Sequence, residues 1–378
     1  MKIGLLTYHF SENYGALFQA YALREWFLSQ GHDAEFINYH PEHVEGGGDI
    51  NLKKLFSKRN LKVIYLKLST LKNKLFGNSE QHNKFELFRS EYLAVAKPTY
   101  KTIEDIEKAH LNYDLLVCGS DQIWNPSEQF GLDPVYFLNF KIDNAKVRRI
   151  SYAPSFGRSE IQTQYHKTLI NFLDKLDGVS IREESGVSII NNLTGINPVC
   201  VPDPTILITD YSSIMTPYTT QKKNYVFCYT LRSSNVIAEV AQKISAKFGS
   251  ALYSPYNTHR RWKEIGETVY PCPRQWLYLL NNSEFVVTNS FHGAALSIIL
   301  NKPFVIVGLQ GNKLTLNARV LNLLELVGLS SRFLMSATPE KVDEIVYEKI
   351  DWEQVNMKLS LLRNNGSKYL TEQIELAS

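Results

Sequence analysis

Short runs of β-branched and aromatic residues alternate along the chain with longer stretches in which apolar residues recur every three or four positions. The first pattern predicts buried strands and the second amphipathic helices, and their alternation predicts parallel sheets joined by crossover helices. Residues 3–8 form the first predicted strand. A turn carrying Ser11, Asn13 and Gly15 leads into a predicted helix over residues 16–30, where Leu17, Ala20, Tyr21, Phe27 and Leu28 fall largely on one face and Gly31 supplies the stop. Further strands are predicted at residues 34–39, 115–119, 149–153, 178–182 and 199–202. Residues 209–224 are rich in Ser, Thr, Tyr and Lys without periodicity and read as a linker. A second series follows, with strands at residues 225–231, 285–288 and 304–307 and helices at 235–248 and 293–300.

Two such series in 378 residues predict an α/β protein of two Rossmann-like, doubly wound domains facing a cleft. The expected division is 1–208, the linker 209–224, 225–350, and a helical tail over 351–378 that packs back on the first domain. Ligands of open α/β sheets bind outside the carboxyl ends of the strands, so the chemistry is sought in the turns at those ends.

Composition narrows the field. With 44 % hydrophobic and 21 % charged residues the chain is an ordinary globular protein, and a net charge of +3 is too small to make nucleic acid its main partner. The basic excess is local. Between residues 52 and 76 lie Lys53, Lys54, Lys58, Arg59, Lys62, Lys67, Lys72 and Lys74, interleaved with leucines and with no acidic residue. Two readings stay open for this segment, a surface that meets anionic lipid and an ordinary basic helix. Cys118, Cys200, Cys228 and Cys272 are widely spaced and none belongs to a C-x-x-C pair, which predicts reduced thiols and no zinc or iron–sulfur site. No apolar signal core opens the chain, and no run approaches the length of a membrane span, so the protein is expected in the cytoplasm.

The strand ending at Thr288 runs into Asn289-Ser290-Phe291-His292-Gly293, a turn at the start of a small-residue helix. Such a start offers free N–H groups and a partial positive charge to a phosphate or carboxylate, and His292 beside it can move a proton near neutral pH. Arg182 closes the run 178–181 and is suited to grip a carboxylate; an ion pair with Glu183 or Glu184 is the competing reading. Asp121 and Trp124 follow another strand, where Asp121 can accept a hydroxyl proton and Trp124 can stack on a sugar. The alternatives are a helix cap for Asp121 and a core position for Trp124. Asn13, Tyr14 and Gly15 occupy the first strand–helix turn, while Lys313 and Arg319 follow the strand 304–307, where they can reach a phosphate or lie on a solvated helix face.

At these residues the chain resembles the polysaccharide pyruvyl transferase family. The pieces that carry the resemblance are Asn13-Tyr14-Gly15-Ala16-Leu17 with Gln19-Ala20-Tyr21-Ala22-Leu23, Gly119-Ser120-Asp121-Gln122-Ile123-Trp124-Asn125, Ser180-Ile181-Arg182-Glu183, Pro202-Asp203-Pro204-Thr205 and Ser290-Phe291-His292-Gly293. The resemblance implies a GT-B-like glycosyltransferase fold, phosphoenolpyruvate as donor and a saccharide acceptor; that acceptor is expected to be lipid-linked, in capsular or exopolysaccharide assembly, and no further cofactor or metal is expected. The resemblance places Arg182 and His292 near the donor; the turns themselves add Asn289, Ser290 and Gly293 as expected donor residues and Asn13, Tyr14, Gly15, Asp121 and Trp124 as expected acceptor residues. His292, Asp121 and Arg182 are the expected catalytic residues. Many members carry an arginine two places before the histidine, where this chain has Ser290; Lys313 or Arg319 is assigned the missing cation. A nucleotide-sugar glycosyltransferase and a non-catalytic saccharide-binding protein are the alternatives.

Overall fold

A computed structural model describes the chain except for residues 47–59, 62, 66–67, 69–78, 129–130, 233 and 257–264. The chain divides into two compact units, Met1–Leu207 with Asn364–Ser378, and Ile208–Arg363.

In the first unit β1 (Lys2–Leu6), β2 (Asp33–Phe36), β3 (Leu115–Cys118) and β4 (Arg148–Ser151) form a parallel sheet in the order β2-β1-β3-β4. A parallel pair, β5 (Ser180–Ile181) and β6 (Val199–Cys200), follows. The Ser151 N–H donates to the Gly178 carbonyl at 3.0 Å, which carries the pairing on from β4 toward β5. Every residue of β3 is buried, as a central strand covered on both faces requires. The helix Tyr14–Ser29 is also buried on most of its surface, because one side lies on the sheet and the other meets the returning C-terminal residues. There the Trp26 indole N–H donates to Ser367 Oγ at 3.1 Å, and Tyr369 Oη donates to the Ser151 carbonyl at 3.1 Å. Gly366 is a close approach: a Cβ at that position would lie 2.4 Å from Tyr152 Oη.

The second unit contains β7 (Tyr225–Tyr229), β8 (Ala251–Pro255), β9 (Glu267–Val269), β10 (Phe285–Thr288), β11 (Phe304–Val307) and β12 (Phe333–Leu334). All pairings are parallel and the order is β12-β11-β10-β7-β8-β9, the Rossmann order, with its reversal between β7 and β10. The helix Asn235–Phe248 is capped by Ser234, ends at Gly249 with φ +62°, and packs Ile237, Val240, Ala241 and Ile244 into the core under the sheet.

Three expectations need adjustment. The strands expected at 178–182 and 199–202 shrink to two residues each. Residues 209–224 belong with the second unit, where Tyr211 and Ile214 are buried, and residues 351–363 stay with that unit before the long helix Trp352–Glu375 passes into the first. The eight cations of the basic segment all lie outside the described residues. Among the described residues, no helix is long and apolar enough to cross a membrane.

Candidate functional site

In the first unit the strand order reverses between β1 and β3, and the turns beyond these strands hold the residues expected to meet an acceptor. Most of them are occupied within the protein. Asn13 caps the helix Tyr14–Ser29, its Oδ1 accepting from the Gly15 and Ala16 N–H groups at 2.9 and 3.3 Å. Tyr14 is buried; Gln81 Nε2 donates to its Oη at 3.1 Å and Phe85 packs on its ring at 5.0 Å. Gly15 is buried in the first turn of the helix. Trp124 is 0 % exposed, stacks on Phe137 at 4.7 Å and donates its indole N–H to the Tyr136 carbonyl at 2.9 Å. The expectation that Tyr14 and Trp124 present themselves to a sugar is therefore corrected: both fill the interior, where their polar atoms find partners.

Asp121 stands apart. Its backbone is left-handed at φ +70°, a conformation that aspartate tolerates better than most residues, and its carbonyl accepts from the Ser155 N–H at 2.8 Å. Oδ1 accepts from the Gln122 N–H at 2.9 Å, and the residue is only partly buried, so one carboxylate oxygen is available at this edge.

Beneath it lies a buried polar network. Ser120 Oγ donates to Asp203 Oδ2 at 2.9 Å, Arg182 Nη1 donates to the same oxygen at 2.7 Å, and Asp203 Oδ1 accepts from the Thr205 hydroxyl and N–H at 2.8 and 3.1 Å. Glu183 Oε2 lies 3.6 Å from Arg182 Nε, and Ser155 Oγ donates to Glu183 Oε1. Arg182 is 5 % exposed. Burial opposes its charge, but Asp203 and, after it, Glu183 and Asp121 more than compensate and raise the guanidinium above its usual range. Arg182 is held by Asp203 and Ser120 and so joins the ends of β3, β5 and β6. Its main partner is Asp203, not the neighbouring glutamates. Asp203 is the residue whose role sequence reasoning missed, although it lies in the Pro-Asp-Pro-Thr motif.

The second unit arranges its reversal differently. Thr288 at the end of β10 is level with Tyr229 of β7, and its Oγ1 donates to the Tyr229 carbonyl at 2.7 Å while accepting from the Ser290 N–H at 3.1 Å. Ser290 caps the helix Phe291–Ile299, its Oγ accepting from the Gly293 N–H at 3.3 Å. Gly293 permits the close packing of that helix start on the strands, since a Cβ there would lie 2.5 Å from Thr288 Oγ1. His292 is the second residue of the helix and 6 % exposed, so its imidazole sits in the first turn, where N–H groups point outward. Asn289 spends its amide on the neighbouring loop: Oδ1 accepts from the Leu231 N–H at 2.9 Å and Nδ2 donates to the Arg232 carbonyl at 2.6 Å. Ser290, Gly293 and Asn289 thus build the turn that carries the buried His292.

Lys313 lies in the 3₁₀ segment Gly311–Asn317, and its side chain is outside what the structure describes. Arg319 is half-buried at the start of the helix Ala318–Val327. Asn317 between them binds the backbone N–H and carbonyl of Leu309, both at 2.9 Å, and so fixes the exit of β11. Among the described residues, no group of three or more His, Cys, Asp or Glu side chains can hold a metal ion.

No curated protein sequence matches the chain. The fold is similar to UDP-GlcNAc 2-epimerase from Methanocaldococcus jannaschii, with a TM-score of 0.52, 11 % identity and 100 % of each chain covered. It is also similar to UDP-GlcNAc 2-epimerase from Neisseria meningitidis bound to UDP-GlcNAc, with a TM-score of 0.50, 11 % identity and 99 % of each chain covered. At this identity the likeness concerns the fold alone, which is the GT-B type. The family model described as Polysaccharide pyruvyl transferase matches residues 13–311, a span that contains the strand-end turns of both units, and the chain belongs to that family.

Proposed function

We propose that this protein transfers the pyruvyl group of phosphoenolpyruvate to two hydroxyls of a saccharide, forming a cyclic ketal and releasing phosphate. The observation that carries the proposal is the family match over a span that includes His292, placed in the first turn of a helix at the strand reversal of the second unit. A helix start supports binding of the donor's anionic groups, and an imidazole there suits proton delivery. His292 gives a proton to the methylene carbon, which becomes the methyl group of the product. One sugar hydroxyl then bonds to the positively polarised C2, phosphate leaves with the electron pair of the C2–O bond, and a second hydroxyl closes the ring. Of the two hydroxyl protons, one restores His292 and the other, taken first by Asp121, leaves with phosphate.

Asp121, with one carboxylate oxygen outside its turn, is the proposed acceptor of a hydroxyl proton. The reading requires no cofactor beyond the donor. The proposed acceptor is a lipid-linked oligosaccharide of capsular or exopolysaccharide assembly, handled at the cytoplasmic face of a membrane. The basic run 52–76 supports this through its attraction for anionic lipid. Flotation with vesicles tests that part: binding indifferent to lipid charge and salt would remove it.

Mass spectrometry of saccharides incubated with the protein and phosphoenolpyruvate tests the reaction. The expected product carries a pyruvate ketal, with phosphate released in equal amount. Sugar transfer from a nucleotide donor, with phosphoenolpyruvate untouched, would overturn the proposal.

A further inference from the structure

We infer that Arg232 supplies a cation to the donor at the turn before His292, and that Asn289 positions it. The inference rests on the donor reading above and adds a residue to it. Ser290 stands two places before His292, and its hydroxyl is committed to the Gly293 N–H. The strand next to β10 at the reversal is β7, and the chain leaving β7 reaches Arg232 within three residues of Tyr229. Asn289 ties that loop to the turn. Its carbonyl oxygen takes the Leu231 N–H and its amide nitrogen binds the Arg232 carbonyl, so both halves of one side chain fix the backbone that carries the guanidinium. A residue with its amide engaged in this way acts on the donor only through what it holds in place.

Arg232 itself is exposed, and among the described residues its guanidinium takes part in no hydrogen bond or ion pair. Other arginines of the same unit are used internally. Arg274 donates to the Ile214 carbonyl at 2.9 Å, and Arg332 donates to the Ile345 and Glu348 carbonyls, both at 2.7 Å. A planar fork of N–H donors, left open on a fixed backbone at the reversal of a Rossmann-ordered sheet, is suited to a phosphate or carboxylate. Lys313 and Arg319 follow β11 instead, on the far side of β10 from β7.

Isothermal titration of the full-length protein with phosphoenolpyruvate, and separately with inorganic phosphate, tests the inference. Arg232→Ala is expected to weaken phosphoenolpyruvate binding by at least about tenfold, the scale of a charge-assisted contact, with Arg232→Lys recovering part of the loss. Asn289→Asp keeps the acceptor for Leu231 but loses the donor to Arg232, and should weaken binding several-fold. In the double variant the Asn289 change should add nothing to the Arg232→Ala loss. Additive losses would reduce Asn289 to a general structural role and overturn its part. Wild-type affinity in Arg232→Ala would overturn the inference while leaving the donor reading intact. A wild-type protein that binds neither phosphoenolpyruvate nor phosphate would overturn both.

Discussion

In the first unit the arginine at a strand end, Arg182, is buried against Asp203 and Glu183 and shares its partner with Ser120. In the second unit the arginine beyond a strand end, Arg232, stays exposed, while the polar bonds are made by the asparagine that holds its backbone. Similar sheets thus finish their carboxyl ends with different physics. A buried guanidinium beside a carboxylate is held in place by that partner. A side chain left in solvent on a pinned backbone loses little on meeting an anion. The polar motifs of the first unit are largely engaged within the protein, with Asp121 only partly buried, and those of the second unit build the turn that carries His292.

Removing the carboxylate that neutralises Arg182 breaks the first half of this comparison most severely. Asp203→Ala leaves a buried cation with Glu183 and Asp121 as its remaining carboxylate neighbours, and a loss of about 3–5 kcal/mol is expected in urea denaturation. A variant as stable as the wild type would show that the network is not structural.

Acid sharpens the same half. His9, just beyond β1, is buried with Nε2 on Asn38 Oδ1 at 3.2 Å and Nδ1 on the Thr7 carbonyl at 3.1 Å. Burial is the main reason that its pKa is pushed down to about 4 from 6.5. The unfolded chain therefore binds the proton first. The contribution of His9 is complete above about pH 6.5 and is lost as pH falls toward about 4, amounting to about 3 kcal/mol in all. His9→Asn should flatten the stability curve in that window, and an unchanged curve would contradict this account.

In the second unit, Gly293→Ala places a methyl against Thr288 Oγ1 and should destabilise by about 1–3 kcal/mol, measured by thermal unfolding. A neutral outcome would mean that the helix start does not need its close approach to β10.

The strands β1, β3, β7, β10 and β11 were legible because central parallel strands are continuous apolar runs. By contrast, β9 and β12 have three and two residues and leave no periodic trace. The turn at His292 was legible from an apolar run ending in polar residues and then a small-residue helix. The partners were not. Arg182 meets Asp203 across 21 residues and Asn289 meets Leu231 across 58, and such pairings follow from strand order, which local pattern does not encode. Trp124 shows the same limit, because an indole after a strand reads alike whether it faces a sugar or packs on Phe137. Arg232 had a usable signal, a cation just past an apolar strand of the second series, but its value depends on β7 lying beside β10.

The most direct measurement of the central claim is phosphate release from phosphoenolpyruvate, in the presence of a saccharide that the wild type converts, by wild type and His292→Ala. The account predicts a loss of about 10²- to 10⁴-fold in turnover for His292→Ala, with its unfolding midpoint close to that of the wild type. A folded His292→Ala that releases phosphate at the wild-type rate would contradict it, and would move the chemistry away from this turn.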